Sequence, residues 1–216
     1  MKAPGFVRLA YVLCCIVLLF TGCGESGQKE ETPSTVQVKI GNVWGNGVIW
    51  ELTEGSCVIA TAGHILSMGE GEIQVVFPDG MCTGVSDYWT TDIDLVFLIA
   101  EGDFSEEGQK EYCPVKLDME STGNLQADAE VTIKTYGLDA QEVIRDAVVL
   151  EPWIYVEDFG QYMLLLQTEV SPGMSGAGVY DEENGLLGII CGGNEEGEAV
   201  ATPVSVVSAW YRDCKS

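Results

Sequence analysis

The chain has 216 residues, with 34 acidic side chains against 10 basic ones and a net charge of -24. Such a surface repels nucleic acid and anionic lipid headgroups, which excludes nucleic acid as a partner and a basic patch as a membrane anchor. The length suffices for one sizeable all-β core or two small ones.

The first residues form a leader. Lys2 and Arg8 are followed by an apolar run, Leu9 to Phe20. That run is too short to span a bilayer, which takes about 20 residues. It ends in Phe20-Thr21-Gly22-Cys23, which resembles the lipobox of bacterial lipoproteins, with Phe20 where Leu is usual. The resemblance implies that residues 1–22 are a signal peptide and that Cys23 is lipidated. It also implies an exported protein, held at the cell membrane and facing away from the cytoplasm. Loss of residues 1–22 removes Lys2 and Arg8 and no acid, leaving 8 basic and 34 acidic residues and a net charge of -26. Anchorage then rests on acyl chains, at about 0.8 kcal/mol per buried CH₂.

Residues 23–35 are small, polar and charged and read as a flexible tether. From Val36 onward, short apolar runs alternate with turn residues, and residues 36–216 read as one domain. Strands are predicted at Val36–Ile40, Gly47–Leu52, Cys57–Thr61, Ile73–Phe77 and Leu95–Ile99. Further strands are predicted at Ala129–Thr135, Glu142–Leu150, Tyr162–Thr168, Gly178–Tyr180, Leu186–Cys191 and Glu198–Ala201. Turns are predicted at Pro78-Asp79-Gly80, Gly123-Asn124, Glu183-Asn184-Gly185 and Gly192-Gly193-Asn194. Pro203–Cys214 reads as a helix with Pro203 in its first turn. The acidic stretch from Glu101 to Leu125 divides the strands into two sets, about 36–120 and 121–205.

Eight cysteines are present; Cys14 and Cys15 fall in the leader and Cys23 is the anchor. Cys57, Cys82, Cys113, Cys191 and Cys214 are an odd set, so an exported chain leaves at least one of them outside any disulfide. Cys82 and Cys113 have the polar neighbours of loops, while Cys57 and Cys191 sit in strands. No Cys or His spacing suggests a metal site, and no cofactor is expected.

Three segments carry chemistry. His64, the single histidine, follows the apolar run Cys57-Val58-Ile59 and the small residues Ala60-Thr61-Ala62-Gly63, reading as the end of a buried strand. Asp94 opens the run Leu95-Val96-Phe97-Leu98, where a carboxylate needs a partner such as an imidazole N–H. Ser175 lies within Gly173-Met174-Ser175-Gly176-Ala177, whose glycines allow backbone N–H groups to converge on one point.

These segments resemble the trypsin-like serine peptidases, and most of all their HtrA/Do-like bacterial branch. Thr61-Ala62-Gly63-His64 is similar to the family's T-[AN]-x-H, and Asp94-Leu95-Val96-Phe97-Leu98 to its D-[IL]-[AV]-x-L. Gly173-Met174-Ser175-Gly176-Ala177 is similar to its G-[DN]-S-G-[GA]. Gly45-Asn46-Gly47-Val48-Ile49 resembles the strand that leads into the histidine strand. Leu187-Gly188-Ile189-Ile190-Cys191-Gly192 resembles the strand that lines the substrate cleft. The resemblance implies an all-β fold of two six-stranded antiparallel barrels with a short C-terminal helix. It implies His64, Asp94 and Ser175 as a catalytic triad, with the Gly173 and Ser175 amides as oxyanion hole. Glu169, Cys191, Gly192 and Gly193 are then expected along the cleft, and protein or peptide as substrate. No PDZ-like segment is expected after the helix. Met174 stands where the family has Asp or Asn, and Gly63 where Ala or Asn is common. The resemblance leaves one alternative, a trypsin-like fold without turnover that acts as a binding module.

Overall fold

The computed structural model describes residues 33–104, 112–117, 123–137 and 141–216. The expected signal peptide, Cys23 and most of the tether lie outside the described residues.

Alternation along β1 (Thr35–Ile40) sends Val36, Val38 and Ile40 into a core, and the strand pairs antiparallel with β2 (Val43–Leu52). β3 (Ser56–Thr61) follows, then a short helix α1 (His64–Met68). β4 (Ile73–Val76), β5 (Cys82–Thr90) and β6 (Val96–Glu101) complete the set. Their order β1-β2-β3-β6-β5-β4 closes into a barrel, because β4 pairs back onto β1. Closure leaves no exposed edge to pair with another chain.

A two-residue strand, β7 (Lys116–Leu117), precedes the second set. That set is β8 (Glu130–Tyr136), β9 (Glu142–Val156), β10 (Gln161–Gln167), β11 (Gly178–Tyr180), β12 (Gly185–Gly193) and β13 (Glu198–Pro203). It runs β11-β8-β9-β10-β13-β12 and closes through β11–β12, with β7 parallel to β12 at its side. The two expected six-stranded antiparallel barrels are therefore present. Helix α2 (Val204–Lys215) ends the chain.

Each barrel has its own core. Val36, Ile49, Ile59 and Leu98 fill the first, and Ile133, Val149, Leu166 and Leu187 the second. A third cluster joins Trp50, Phe97, Tyr180, Ile189 and the α2 residues Val204 and Val207, so the barrels and the helix share a buried seam. Gln37, on the other face of β1, donates to the Gly137 carbonyl at 2.9 Å across it.

Several boundaries differ from expectation. β5 has no predicted counterpart: its residues alternate between half-buried and exposed, and only Val85 and Trp89 carry a large apolar side chain to the packed side. β9 runs on to Val156, past the predicted end at Leu150. Pro152 is tolerated because the ladder to β10 shifts register there, with Met163 opposite Ile154 and Leu165 opposite Glu151. Gly192 and Gly193 belong to β12 rather than to a turn. Pro203 caps α2 as the last residue of β13 rather than occupying its first turn.

The end of α2 is tied to the first barrel. Tyr211 Oη and Lys215 Nζ both donate to Glu51 on β2, the lysine at 2.7 and 2.9 Å. The bond from Lys215, then that from Tyr211, holds the Glu51 carboxyl below its ordinary value of 4.5. A carboxyl depressed on folding stabilises above its unfolded value and loses that effect as pH falls through its folded one. The melting temperature of Glu51→Gln is thus expected to lie below wild type at neutral pH. The gap is expected to close as pH drops below about 4.5; a gap that persists in acid would contradict this clamp.

Candidate active site

β3 ends at Thr61, and the chain turns through Ala62 and Gly63 into α1, so His64 is the first residue of a helix rather than the end of a strand. Gly63 caps that helix in ordinary right-handed geometry. A Cβ there would lie 3.2 Å from Leu95 N and 3.4 Å from Asp94 Oδ1, a close fit that a small shift of the neighbouring chain would relieve.

Asp94 sits just before β6 and binds the histidine twice. The His64 backbone N–H donates to Asp94 Oδ1 at 2.7 Å, and the ring Nδ1 lies 2.8 Å from Oδ2. A carboxylate only accepts, so Nδ1 carries the ring proton and Nε2 presents a lone pair. Ser175 Oγ lies 2.9 Å from Nε2 and donates to it. The Asp94 side chain is 13% exposed and that of His64 32%, so the acid is shielded while the imidazole edge faces solvent. His64, held by Asp94, meets Ser175, which the second barrel supplies from the loop between β10 and β11. The sequence places these groups 30 and 111 positions from the histidine; the structure brings all three together.

The serine loop is tightly shaped. Gly173 (φ +95°) and Gly176 (φ +84°) occupy left-handed backbone, which favours glycine. A Cβ on Gly173 would fall 2.1 Å from the Trp44 ring, and one on Gly176 only 1.8 Å from the Asn46 carbonyl oxygen. Met174 N–H donates to Ser171 O at 3.1 Å and Gly176 N–H to Ile190 O at 2.8 Å. Among the described residues, no protein acceptor takes the N–H of Gly173 or of Ser175. Met174, in place of the family's polar residue, is buried in the second core, where its sulfur accepts from Ser171 N–H at 3.3 Å.

The other expected cleft residues separate. Cys191 is the extra residue of a β-bulge, since the β12–β13 register shifts between Ile190 and Gly192. Such bulges re-aim a side chain. Its thiol is buried, 3.7 Å from the Asp94 carbonyl oxygen and 3.2 Å from Thr202 Oγ1. Burial first, then the Asp94 charge, pushes that thiol up to about 12. Cys191 thus reaches the Asp94 backbone and shares with His64, Asp94, Met68, Ile93 and Phe159 a hollow of about 570 Å³. Glu169 is exposed and borders a different hollow, with Ser171, Asn194, Glu195 and Glu196. Gly193 packs against Val170, whose Cγ2 would lie 2.2 Å from a Cβ at that position. A Cβ at Gly192 would meet only the Phe159 ring edge, at 3.7 Å.

None of the five cysteines in the described residues forms a disulfide. Among the described residues no group of three or more His, Cys, Asp or Glu is arranged to hold a metal ion.

A family model for the trypsin-like peptidase domain matches residues 45–189, and the chain belongs to that family. Among solved structures, it is similar to the inactive form of the Rv3671c protease, with a TM-score of 0.68 at 15% identity, covering 86% of this chain and 90% of that one. The active form of Rv3671c protease from M. tuberculosis gives a TM-score of 0.68 at 15% identity, covering 85% and 81%. At such identity the likeness is one of fold. No curated protein matches the chain in sequence.

Two residues important to this site were missed in the sequence. Asn46 was read only as part of a glycine-flanked strand, and Trp44 not at all. The sequence offers only the two glycines that flank Asn46; that its amide is buried and bonded to Gly173 and Tyr136 is decided by the fold.

Proposed function

We propose that the protein is a serine endopeptidase in which Ser175, His64 and Asp94 act as a triad. The observation that carries this reading is the continuous chain from Asp94 Oδ2 through both ring nitrogens of His64 to Ser175 Oγ, at 2.8 and 2.9 Å. Ser175 Oγ attacks the carbonyl carbon of a peptide bond as His64 Nε2 takes the hydroxyl proton. Asp94 holds the ring in the tautomer this requires and stabilises the imidazolium that forms. The carbonyl oxygen becomes an oxyanion that accepts from the Gly173 and Ser175 amides. His64 then gives its proton to the departing amine, leaving an acyl group on Ser175. Water, deprotonated by His64, releases the acid product. Each step uses side chains and amides of the chain itself.

The acid excess bears on substrate choice. Asp92, Asp94 and Asp158 line the hollow beside His64, and Glu169, Glu195 and Glu196 line the second hollow. Their field steers cationic peptides toward the cleft. A panel of chromogenic peptides with Arg, Phe, Val or Glu before the scissile bond tests both the activity and this bias. Hydrolysis is expected, with kcat/KM for the Arg peptide falling severalfold between low and physiological salt while that for the Val peptide stays level. A folded protein that cleaves none of them would support the binding-module alternative.

The membrane placement proposed with this function rests on the leader and Cys23. Replacement of Cys23 by Ala is expected to release the protein from the membrane fraction; retention there would refute lipid anchoring.

A further inference from the structure

Met174 leaves the serine loop without a charged group to orient it, yet two of the loop's peptide planes are pinned from one residue. Asn46, on β2 of the first barrel, is fully buried and has every polar group engaged. Its Nδ2 donates to the Gly173 carbonyl at 2.6 Å, and its backbone N–H donates to the Ser175 carbonyl at 2.7 Å. Its Oδ1 accepts the Tyr136 N–H of the second barrel at 2.7 Å, and its own carbonyl accepts Thr61 Oγ1 at 2.5 Å. One short amide thus spans the barrels, donating with one end and accepting with the other.

We propose that Asn46 is a positioning residue that holds the oxyanion hole in its working shape. This rests on the peptidase reading given above. The Ser175 amide lies in the peptide between residues 174 and 175. The peptides on either side carry the Gly173 and Ser175 carbonyls, and both are fixed by Asn46. The intervening plane is itself held by one bond, the Met174 carbonyl accepting the Ala177 N–H at 3.0 Å, and the two planes fixed by Asn46 set the direction in which that plane, and with it the Ser175 N–H, faces. The Gly173 amide adjoins the first pinned plane, at a residue whose left-handed backbone the Trp44 ring restricts further. The choice of Asn follows from the two bonds. Asp supplies no donor for the Gly173 carbonyl, and Leu supplies neither that donor nor an acceptor for the Tyr136 N–H. Among the described residues no hydrogen bond joins Asn46 to His64 or Asp94, so its bonds reach the serine loop and not the histidine–aspartate pair.

The test uses the whole protein, a chromogenic peptide substrate and a peptide aldehyde, whose hemiacetal oxygen on Ser175 mimics the oxyanion. Asn46→Asp is expected to lower kcat about 100-fold, the scale of losing one oxyanion-hole donor. KM should change less than threefold, and aldehyde affinity should fall by the same factor as kcat. Asn46→Ser serves in its place if the Asp variant melts below assay temperature. A general loss of structure would instead move KM and aldehyde affinity by unrelated factors. In the wild-type aldehyde complex, the hemiacetal oxygen is expected within hydrogen-bond distance of both amides, with the Asn46–Gly173 bond intact. Unchanged kcat in the variant, unchanged aldehyde affinity, or a complex in which the Gly173 carbonyl has left Asn46 would each overturn the proposal while leaving the peptidase reading in place. A wild-type protein that neither cleaves the peptide nor binds the aldehyde would defeat that reading itself.

Discussion

Replacement of Ser175 by Ala is expected to lower kcat by about 10⁶ and leave the melting temperature within a degree or two of wild type. The magnitude follows if Ser175 is the nucleophile of the proposed triad, since in such a unit loss of the serine alone costs about as much as loss of all three members. What survives is the modest catalysis from substrate binding and oxyanion stabilisation. Stability is spared because the hydroxyl's side-chain bond is to a part-buried histidine edge, while the loop keeps its backbone bonds through Asn46 and Ile190. The measurement is kcat on a chromogenic peptide alongside thermal unfolding. A variant that retains a tenth of the activity would exclude Ser175 as nucleophile; one that unfolds would assign it a structural role.

The second large effect is at Asp94. Asn at this position is expected to cut kcat by about 10⁴ near neutral pH. The geometry supplies the reason. Asp94 accepts from the His64 backbone N–H with Oδ1 and from the ring Nδ1 with Oδ2. An amide in the same place satisfies the backbone N–H with its oxygen and turns its NH₂ toward the ring. The ring must then accept at Nδ1 and carry its proton at Nε2, facing Ser175 with a donor where a base is needed. KM should change little, since both carboxylate oxygens are engaged by His64. The reverse pattern, a raised KM with kcat preserved, would remove Asp94 from the mechanism and leave it as a helix-capping residue.

The residues around the candidate triad were legible because each lies in a short local pattern. Thr61-Ala62-Gly63-His64 follows one apolar strand, Asp94 precedes another, and Ser175 is set among glycines. Such patterns need no knowledge of distant partners. Eleven strand segments announced themselves in the same way, through apolar runs cut by turn residues. β5 did not, because most of its side chains face water and the apolar signal is confined to Val85 and Trp89. β9 is predicted to end at Leu150, whereas the strand runs on through Pro152, where a register shift removes the need for a proline N–H.

What stayed hidden depends on long-range geometry. Asn46 meets its partners 90 and 127 positions away, at Tyr136 and Gly173. Cys191 points at the back of Asp94 only because a bulge displaces it from the ladder. Gly63 stands where Ala or Asn is common, and only the fold shows that a Cβ there would come within 3.2 Å of Leu95 N. Glu169 is exposed and shares the lining of one hollow with Glu195 and Glu196, a grouping that only the fold brings about. In each case the sequence names the residue, and the fold decides what it touches.

The most direct measurement of the central claim is covalent labelling with a fluorophosphonate, followed by intact mass and peptide mapping. The account predicts a single adduct on the peptide containing Ser175, formed by the folded protein and lost in His64→Ala. Folded protein that takes up no label, or an adduct on any other residue, would contradict it.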